Sequence, residues 1–174
     1  MDIFIRKADI ADIPLIRGMA DVVFRKTYAD ILSPEQMEYM MDWMYSAESL
    51  RGQIEDEGKS FCIAEADGEP AGYVSFEFED TLSDGRKLFH LQKLYVMPEF
   101  QHRGLGERMY SYVKRTLAES CPEGFRIELN VNRNNIATGF YERIGMLRDR
   151  QGDFPIGNGY FMNDYIYAED IRPS

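Results

Sequence analysis

Two glycines and two arginines stand close together between an apolar run and a helix-like segment of the sequence. They lie in the stretch Gln101-His102-Arg103-Gly104-Leu105-Gly106, with Arg108 two residues further on. Glycine lets a ligand approach the backbone, and the unpaired amides and dipole of a helix N-terminus favour an anion. Because Arg103 and Arg108 add positive charge beside those amides, the segment predicts a phosphate-binding loop.

The spacing of the glycines restricts which phosphate compound could bind there. A dinucleotide fingerprint needs a third glycine three residues after the second, and Met109 stands at that position. A nucleotide P-loop needs Gly-Lys-Ser/Thr, which does not follow the glycines. A nucleotide-binding α/β domain is therefore the disfavoured alternative, and it predicts stabilisation of the protein by ATP or NAD.

A buried strand and an amphipathic helix must flank this loop. Residues 88–96 are rich in Leu, Phe, Tyr and Val and are closed by Pro98, which cannot donate to a sheet ladder. Apolar positions then recur at the spacing of one helix face, at Leu105, Met109, Tyr112, Val113, Thr116 and Leu117. The sequence predicts strand, loop and helix in that order, with both glycines in the first helical turn.

Another strand and helix follow along the chain. Residues 125–132 alternate apolar and polar side chains, which is the period of a strand with one buried face. The segment Asn132-Arg133-Asn134-Asn135 supplies helix caps, and Gly145 ends the helix. The predicted packed stripe of this helix consists of Ile136, Phe140 and Ile144. Ala137 and Tyr141 lie on a different face, where the small alanine leaves room beside the phenol.

Five more strands and three more helices complete the predicted elements. The strands are expected at residues 3–8, 60–65, 71–79, 147–149 and 160–168. One helix is expected to be capped by Asp12, a second is expected to be capped by Ser33, and a third is expected at residues 47–57. Turns at 67–70 and 157–159 join neighbouring strands into hairpins.

Two groups of side chains outside the loop are interpreted as structural. A methionine stripe at positions 37, 40, 41 and 44 favours core packing, and the alternative is a pliable wall beside an acceptor pocket. The acidic residues at 77, 79, 80 and 84 are interpreted as a solvated loop rather than a cation site.

Composition narrows the class of protein. A chain of 174 residues fits one domain, and its formal net charge of −10 argues against a nucleic-acid partner. The two cysteines, Cys62 and Cys121, show no disulfide pattern, and no signal-like or membrane-spanning run is present, so we expect a cytoplasmic protein without a membrane partner. Metal-ligand spacing is absent too, and no metal is expected.

Two motifs resemble one enzyme family. Leu-Tyr-Val-x-Pro followed by Gln101-x-x-Gly-x-Gly resembles the acyl-CoA pyrophosphate loop of the GNAT family of N-acetyltransferases. Asn134-Asn135-Ile136-Ala137 and the segment from Phe140 to Met146 resemble the Asn-x-x-Ala and Tyr-Glu-Lys-x-Gly-Phe element of the same family, with Met146 in place of the usual Phe. The resemblance implies an α/β three-layer fold in a single domain of residues 1–174. It has a mixed, mostly antiparallel sheet of about seven strands with helices on both faces.

The resemblance also implies acetyl-CoA as cosubstrate. Its pyrophosphate is expected on the amides of residues 101–106, and its pantetheine arm is expected to pair with the backbone of Tyr95 and Val96. The cofactor-binding residues implied are Tyr95, Val96, Gln101, His102, Arg103, Gly104, Leu105, Gly106, Arg108, Asn134, Ala137 and Tyr141.

Acetyl transfer from a thioester needs an uncharged amine and a stabilised leaving thiolate. By resemblance Tyr141 is the general acid, with Asn134 a hydrogen-bond partner of the pantetheine end. The base stays open: His90 fits by position and by the neutral-range titration of imidazole, but a structural histidine is an equal alternative. A third alternative is direct attack by the deprotonated fraction of the amine, without a protein base.

The chain looks most like the PaiA-type polyamine N-acetyltransferases within the family. The implied acceptor is a small-molecule amine, which is a polyamine, an amino acid or a peptide amine. A catalytically silent CoA-binding sensor or partner-binding domain of the same fold is the second hypothesis. A homodimer stays open, because nothing in the sequence determines the oligomeric state.

Overall fold

A computed structural model describes residues 1–174 and contains seven strands and five helices. The strands are β1 (Ile3–Lys7), β2 (Lys59–Ala66), β3 (Glu69–Thr81), β4 (Lys87–Val96), β5 (Phe125–Asn132), β6 (Leu147–Gly157) and β7 (Tyr160–Ile171). The helices are α1 (Ile13–Tyr28), α2 (Pro34–Tyr45), α3 (Ala47–Glu55), α4 (Leu105–Ser120) and α5 (Thr138–Arg143). None of these helices combines the length and hydropathy that crossing a lipid bilayer requires.

All seven strands belong to one sheet in the order β1-β2-β3-β4-β5-β7-β6. The pairs β1·β2, β2·β3, β5·β7 and β6·β7 are antiparallel, whereas β4 and β5 run parallel. A parallel pair needs a crossover connection, and α4 lies in that connection. The predicted α/β fold with a mixed, mostly antiparallel sheet of seven strands is therefore confirmed.

The chain forms two compact units. The first consists of residues 1–77 and 93–113, and the second of residues 78–92 and 114–174. The single-domain organisation expected from the sequence stays a prediction.

In the first unit, local caps and turns define the elements much as expected. Ser33 Oγ accepts a hydrogen bond of 3.1 Å from the Gln36 amide at the start of α2. Asp67 and Gly68, with φ of 51° and 84°, form the two-residue turn between β2 and β3. The predicted Asp12 cap is wrong in detail, because the Asp12 carboxylate instead accepts hydrogen bonds from Arg6 and the Asp9 amide. Asp9 caps the short 3₁₀ turn that precedes α1.

The methionine stripe of α2 is partly core. Met37 and Met40 are buried at 7% and 4% exposure, which supports the packing interpretation for these two residues. Met41 and Met44 are only half-buried, and Trp43 at the surface stacks on Tyr39 with ring centroids 6.4 Å apart. The stripe therefore packs along one edge of the helix only.

A lysine lies within the core of the first unit, where the sequence suggested none. Lys93 of β4 is 8% exposed, and its Nζ donates a hydrogen bond of 2.7 Å to Gln53 Oε1. The same ammonium lies 5.7 Å from the centroid of the Tyr45 ring and 5.9 Å from that of Phe61. Burial, reinforced by the charge of Lys59, lowers the pKa of Lys93 to about 8.

We expect Lys93 to make stability depend on pH in the alkaline range. Below about pH 8 lysine is charged in both states, and the native state bears the desolvation cost of the buried ammonium. Between that value and about 10.5 the unfolded chain holds more protons, so the free energy of unfolding should rise by about 3 kcal/mol across this window. Urea unfolding of wild type and Lys93→Met from pH 7 to 10.5 measures the difference.

The control for this measurement is Lys26→Met, which removes an exposed lysine of α1 from the same unit. Lys26→Met should leave the alkaline rise in place, whereas Lys93→Met should abolish most of it. Parallel pH curves for wild type and Lys93→Met would show that the native state does not bury a charge at this position.

In the second unit, the β6–β7 hairpin is longer than the sequence suggested. Asn158 and Gly159, with φ of 54° and 76°, form the predicted turn. The predicted strand of residues 147–149 extends instead to Gly157 and includes Pro155. Proline is tolerated there because β6 is the edge strand of the sheet.

The predicted packed stripe of α5 is wrong. Ile136 is 95% exposed, and Phe140 and Ile144 are only half-buried, whereas Tyr141 at 8% exposure faces the interior. The reason is local: the Asn135 side chain accepts a hydrogen bond of 2.8 Å from the Ala137 amide, and the helix begins only at Thr138. Ile136 therefore belongs to the preceding loop. Gly145, with φ of 104°, ends this helical segment as expected.

Candidate active site

In the first unit, the predicted phosphate loop lies between the end of β4 and the start of α4. A short 3₁₀ turn, Pro98–Phe100, follows β4, and residues 101–104 are exposed. His102 and Gly104 have φ of 63° and 80°, so the chain reverses here through two left-handed positions. Leu105 is 1% exposed and anchors the first turn of α4 in the core.

The amides of this loop suit an anion. The Arg108 amide donates to the Gly104 carbonyl oxygen at 3.1 Å and closes the first turn of α4. The N–H groups that precede it in a first turn have no helical acceptor. Arg103 and Arg108 are both exposed beside them. Leu105 is 1% exposed as a whole residue, so its predicted contact with a ligand stays a prediction.

The end of β4 is tightly constrained by its neighbours in the first unit. The Tyr95 ring lies 5.4 Å from Tyr73 and 6.2 Å from Phe24, measured between centroids. A Cβ at Gly72 would stand 2.4 Å from the Tyr95 carbonyl oxygen, so only glycine allows this close approach. Gln101 Nε2 donates to the Val96 carbonyl oxygen at 3.0 Å, which ties the loop to the strand.

In the second unit, β5 extends beyond its pairing with β4. The parallel register runs from Lys87 opposite Phe125 to His90 opposite Glu128, whereas β5 continues to Asn132. The last residues of β5 therefore pair with β7 but not with β4. The family resemblance implies a pantetheine arm beside strands that separate in this way, and that assignment stays a prediction.

The segment after β5 positions three of the predicted residues. Asn132 Oδ1 accepts a hydrogen bond of 2.9 Å from the amide of Asn134, which is itself exposed. The Tyr141 amide donates to the Ala137 carbonyl oxygen at 3.1 Å, which places Tyr141 one turn along α5. The buried Tyr141 ring lies 6.2 Å from that of Tyr167. Asn134, Ala137 and Tyr141 are thus held by one short segment.

His90 lies among polar groups that the sequence analysis did not connect with it. Its side chain is 14% exposed, and Nδ1 is 3.5 Å from Glu79 Oε1. Asp164 of β7 is 5% exposed, and burial raises the pKa of its carboxyl group. A hydrogen bond from Asn130 and charges on Arg133 and His90 oppose that rise. Asp164 alternates with the buried Met162 and Ile166, a period-two signal that could have identified it as buried.

Neither cysteine offers a nucleophile. Cys62 and Cys121 are buried free thiols, and burial raises the pKa of the Cys62 thiol. A buried thiol with a raised pKa is a poor source of thiolate. Acyl transfer by a covalent cysteine intermediate is therefore not supported.

Comparison with known proteins identifies the family. Residues 28–151 match the model of the acetyltransferase (GNAT) domain, which is well over half of the chain. The chain belongs to the GNAT acetyltransferase family. A GNAT protein of this kind is an acetyl-CoA-dependent N-acyltransferase, so the enzyme class and cosubstrate expected from the resemblance are confirmed.

This GNAT protein is similar to N-acetyltransferases of Mycobacterium tuberculosis and Thermoplasma acidophilum. A probable N-acetyltransferase of Mycobacterium tuberculosis is 31% identical over 82% of this chain and 78% of its own length. Spermidine N(1)-acetyltransferase of Thermoplasma acidophilum is 25% identical over 92% of this chain and 99% of its own. The crystal structure of the PaiA N-acetyltransferase from Thermoplasma acidophilum in complex with coenzyme A has a TM-score of 0.80 and 24% identity. It covers 98% of this chain and 99% of that one. The GNAT fold is therefore shared across the whole length.

The predicted site residues of this GNAT chain divide between the two units. The first unit holds Tyr95, Val96, Gln101, His102, Arg103, Gly104, Leu105, Gly106 and Arg108, and the second holds His90, Asn134, Ala137 and Tyr141. Their roles toward acetyl-CoA and an amine stay predictions and are proposed below.

Proposed function

We propose that the protein transfers an acetyl group from acetyl-CoA to a primary amine by direct attack in a ternary complex. The observation that carries the proposal is the exposed loop at the start of α4, with left-handed His102 and Gly104, in a chain of the GNAT family. No covalent enzyme intermediate is needed, because the thioester is already activated toward an amine.

The loop amides of residues 101–106 would bind the pyrophosphate of acetyl-CoA, and Arg103 and Arg108 would add charge. Helix N-termini and flanking guanidinium groups are both effective partners of phosphate oxygens. The backbone of Tyr95 and Val96 would pair with the pantetheine amides like an added strand, with the half-buried Tyr95 ring fixing the strand end. Since Val96 O already accepts from Gln101, the Val96 carbonyl would bind pantetheine through its second lone pair.

Asn134 and Ala137 would line the pantetheine end of the cosubstrate. Asn134 is exposed and its backbone amide donates to Asn132 Oδ1, which supports a contact between its side chain and the ligand. Ala137 is small, which leaves space one helical turn before Tyr141.

Tyr141 would act as the general acid. The amine nitrogen forms a bond to the thioester carbonyl carbon, the carbon–sulfur bond then breaks, and the sulfur takes the phenolic proton of Tyr141. The resulting phenolate recovers a proton from the N–H of the new amide nitrogen, directly or through water, so that the amide and the enzyme are both neutral again. A phenol is acidic enough to protonate a thiolate only within a preorganised site, and such proton transfers contribute about 100-fold to 10,000-fold in rate. Burial of Tyr141 at 8% exposure supports such preorganisation.

His90 would act as the general base. An N–H bond of the acceptor ammonium breaks, its proton passes to imidazole directly or through one water, and the electron pair stays on the amine nitrogen. The half-buried imidazole beside Glu79 is consistent with this role. The alternative, attack by the deprotonated fraction of the amine without a protein base, leaves His90 a structural residue.

We expect His90→Gln to alter the acidic limb of the pH–rate profile. A base must be unprotonated to work, so activity that depends on the imidazole is lost as pH falls. Loss of the base should lower kcat/KM about 10-fold to 100-fold above that limb and remove the limb itself. An unchanged acidic limb in the variant would assign the proton transfer to another group.

The acceptor is proposed to be a cationic amine of the polyamine type, with amino acids and peptide amines as the wider class. The similarity to a spermidine N(1)-acetyltransferase supports this choice. The test is release of free CoA thiol from acetyl-CoA in the presence of polyamines, amino acids and peptides with free N-termini. CoA binding without thiol release from any of these amines would instead support the sensor hypothesis.

A further inference from the structure

Gly72 of β3 is a buried glycine whose position requires space rather than an unusual backbone conformation. Its φ is not positive, so other residues could adopt the same backbone. A Cβ at this position, however, would stand 2.4 Å from the Tyr95 carbonyl oxygen, and real Cβ contacts do not fall below 3.0 Å. Glycine inside a strand often marks a site where another backbone approaches closely. Here the approaching backbone is the end of β4, where pantetheine is proposed to pair.

The neighbours of Gly72 determine what would move if it gained a side chain. On its other edge β3 pairs with β2, where the fully buried Ala64 lies opposite Gly72. The next contact of the added Cβ is Met109 Cε at 3.3 Å, which is the end of a flexible side chain and can shift. The Tyr95 oxygen belongs to the backbone. Lengthening its contact from 2.4 to 3.0 Å would therefore displace the end of β4 by at least about 0.6 Å.

The residues on either side of Gly72 also contact the end of β4. The Ala71 carbonyl oxygen accepts a hydrogen bond of 2.8 Å from the Met97 amide. The Tyr73 ring lies 5.4 Å from the Tyr95 ring, measured between centroids. Three successive residues of β3 thus hold the β4 backbone on both sides of Val96.

We propose that Gly72 is a positioning residue for acetyl-CoA. It allows the backbone of Tyr95 and Val96 to lie close to β3, in the place where that backbone pairs with the pantetheine amides. Gly72 acts through the Tyr95 backbone rather than by contact with the ligand. Hydrogen bonds weaken when donor and acceptor are displaced, and a misplacement of about 1 Å can cost about 100-fold in rate. This inference rests on the proposed pairing of pantetheine with Tyr95 and Val96.

The test measures the Kd of two ligands for wild type and Gly72→Ala by calorimetry. One ligand is CoA, and the other is 3′-phospho-ADP, which keeps the two linked phosphates of CoA but lacks the pantetheine arm. We expect Gly72→Ala to raise the Kd of CoA about 10-fold, because one or two hydrogen bonds to pantetheine are weakened. The Kd of 3′-phospho-ADP should stay the same, since its phosphates bind at the loop before α4.

Val74→Ala is the matched control, because it removes methyl groups from a fully buried position of the same strand. It should lower the urea midpoint of unfolding and leave the Kd of CoA unchanged. The proposal would be overturned if Gly72→Ala kept the wild-type Kd of CoA or weakened both ligands equally. It would also be overturned if Val74→Ala weakened CoA binding as much as Gly72→Ala does.

A second pair of variants tests the same positioning if Gly72→Ala does not fold. Met97 has φ of −59° and ψ of 143°, a backbone that proline adopts and that suits a residue before Pro98. Met97→Pro removes the amide that donates to Ala71, whereas Met97→Ala loses the methionine side chain and keeps that amide. The Kd of CoA should be about 3-fold to 10-fold higher in Met97→Pro than in Met97→Ala. The same Kd in both would contradict positioning by β3.

These binding measurements separate the inference from the proposed function, because CoA is titrated without an amine. If wild type binds CoA but acetylates no amine, the proposed function fails. The positioning role of Gly72 is still supported in that case when Gly72→Ala binds CoA more weakly and 3′-phospho-ADP equally well.

Discussion

Replacing Tyr141 by phenylalanine should lower kcat about 100-fold to 1,000-fold while leaving the Kd of CoA nearly unchanged. The substitution keeps the ring, which is 8% exposed and lies 5.2 Å from Phe140 and 6.2 Å from Tyr167 between centroids. The variant loses only the hydroxyl group, and with it the proton proposed for the leaving thiolate. Steady-state assays of thiol release with a polyamine, combined with calorimetric titration of CoA, measure both quantities.

Tyr39→Phe provides the control for this variant. Tyr39 lies on α2 in the first unit, where it stacks on Trp43, and no role in catalysis is proposed for it. Its kcat should equal that of wild type within about two-fold. Should Tyr141→Phe retain wild-type turnover across the pH range, the thiolate leaves without help from the phenol, and the acid must be water or another group.

The elements of this protein that follow local rules could be predicted from the sequence. The Ser33 cap, the two-residue turns at Asp67-Gly68 and Asn158-Gly159, and the start of α4 at Leu105 each depend on residues that are near neighbours in the chain. Caps and turns are determined by side-chain to backbone hydrogen bonds and by positive φ, both of which a short segment specifies alone. This is why the glycine loop, the most local part of the site, could be located before the fold.

Features that depend on tertiary packing could not be predicted in the same way. Ile136 matches a helical period with Phe140 and Ile144, but the Asn135 side chain delays the helix and leaves Ile136 95% exposed. Lys93 and Asp164 are charged residues in otherwise apolar alternations, and their burial depends on contacts with α3 and with β5. A sequence can show that such a residue occupies an inward position. It cannot show that Gln53 accepts a hydrogen bond from Lys93, or that Asn130 donates one to Asp164.

Replacing Gly104 by valine should raise the Kd of CoA about 10-fold to 100-fold. Gly104 has φ of 80°, a conformation that disfavours a β-branched side chain, and it directly precedes the first amides of α4. Valine at this position would strain the loop and put methyl groups where the phosphate oxygens are proposed to approach the backbone. Loss of one or two charge-assisted hydrogen bonds accounts for a change of this size.

The effect of backbone strain must be distinguished from the loss of the ligand contact, and Gly85→Val is the control variant that does so. Gly85 has φ of 89° and lies in the loop between β3 and β4. A Cβ added to Gly85 would meet no atom within 4 Å, and the same is true of Gly104. Both valine variants should lose about 1–2 kcal/mol of unfolding free energy through backbone strain. Only Gly104→Val should weaken CoA binding, because only that loop combines left-handed backbone, a helix N-terminus and two exposed arginines. Equal Kd values of CoA for the two variants would show that the pyrophosphate does not bind at residues 101–106.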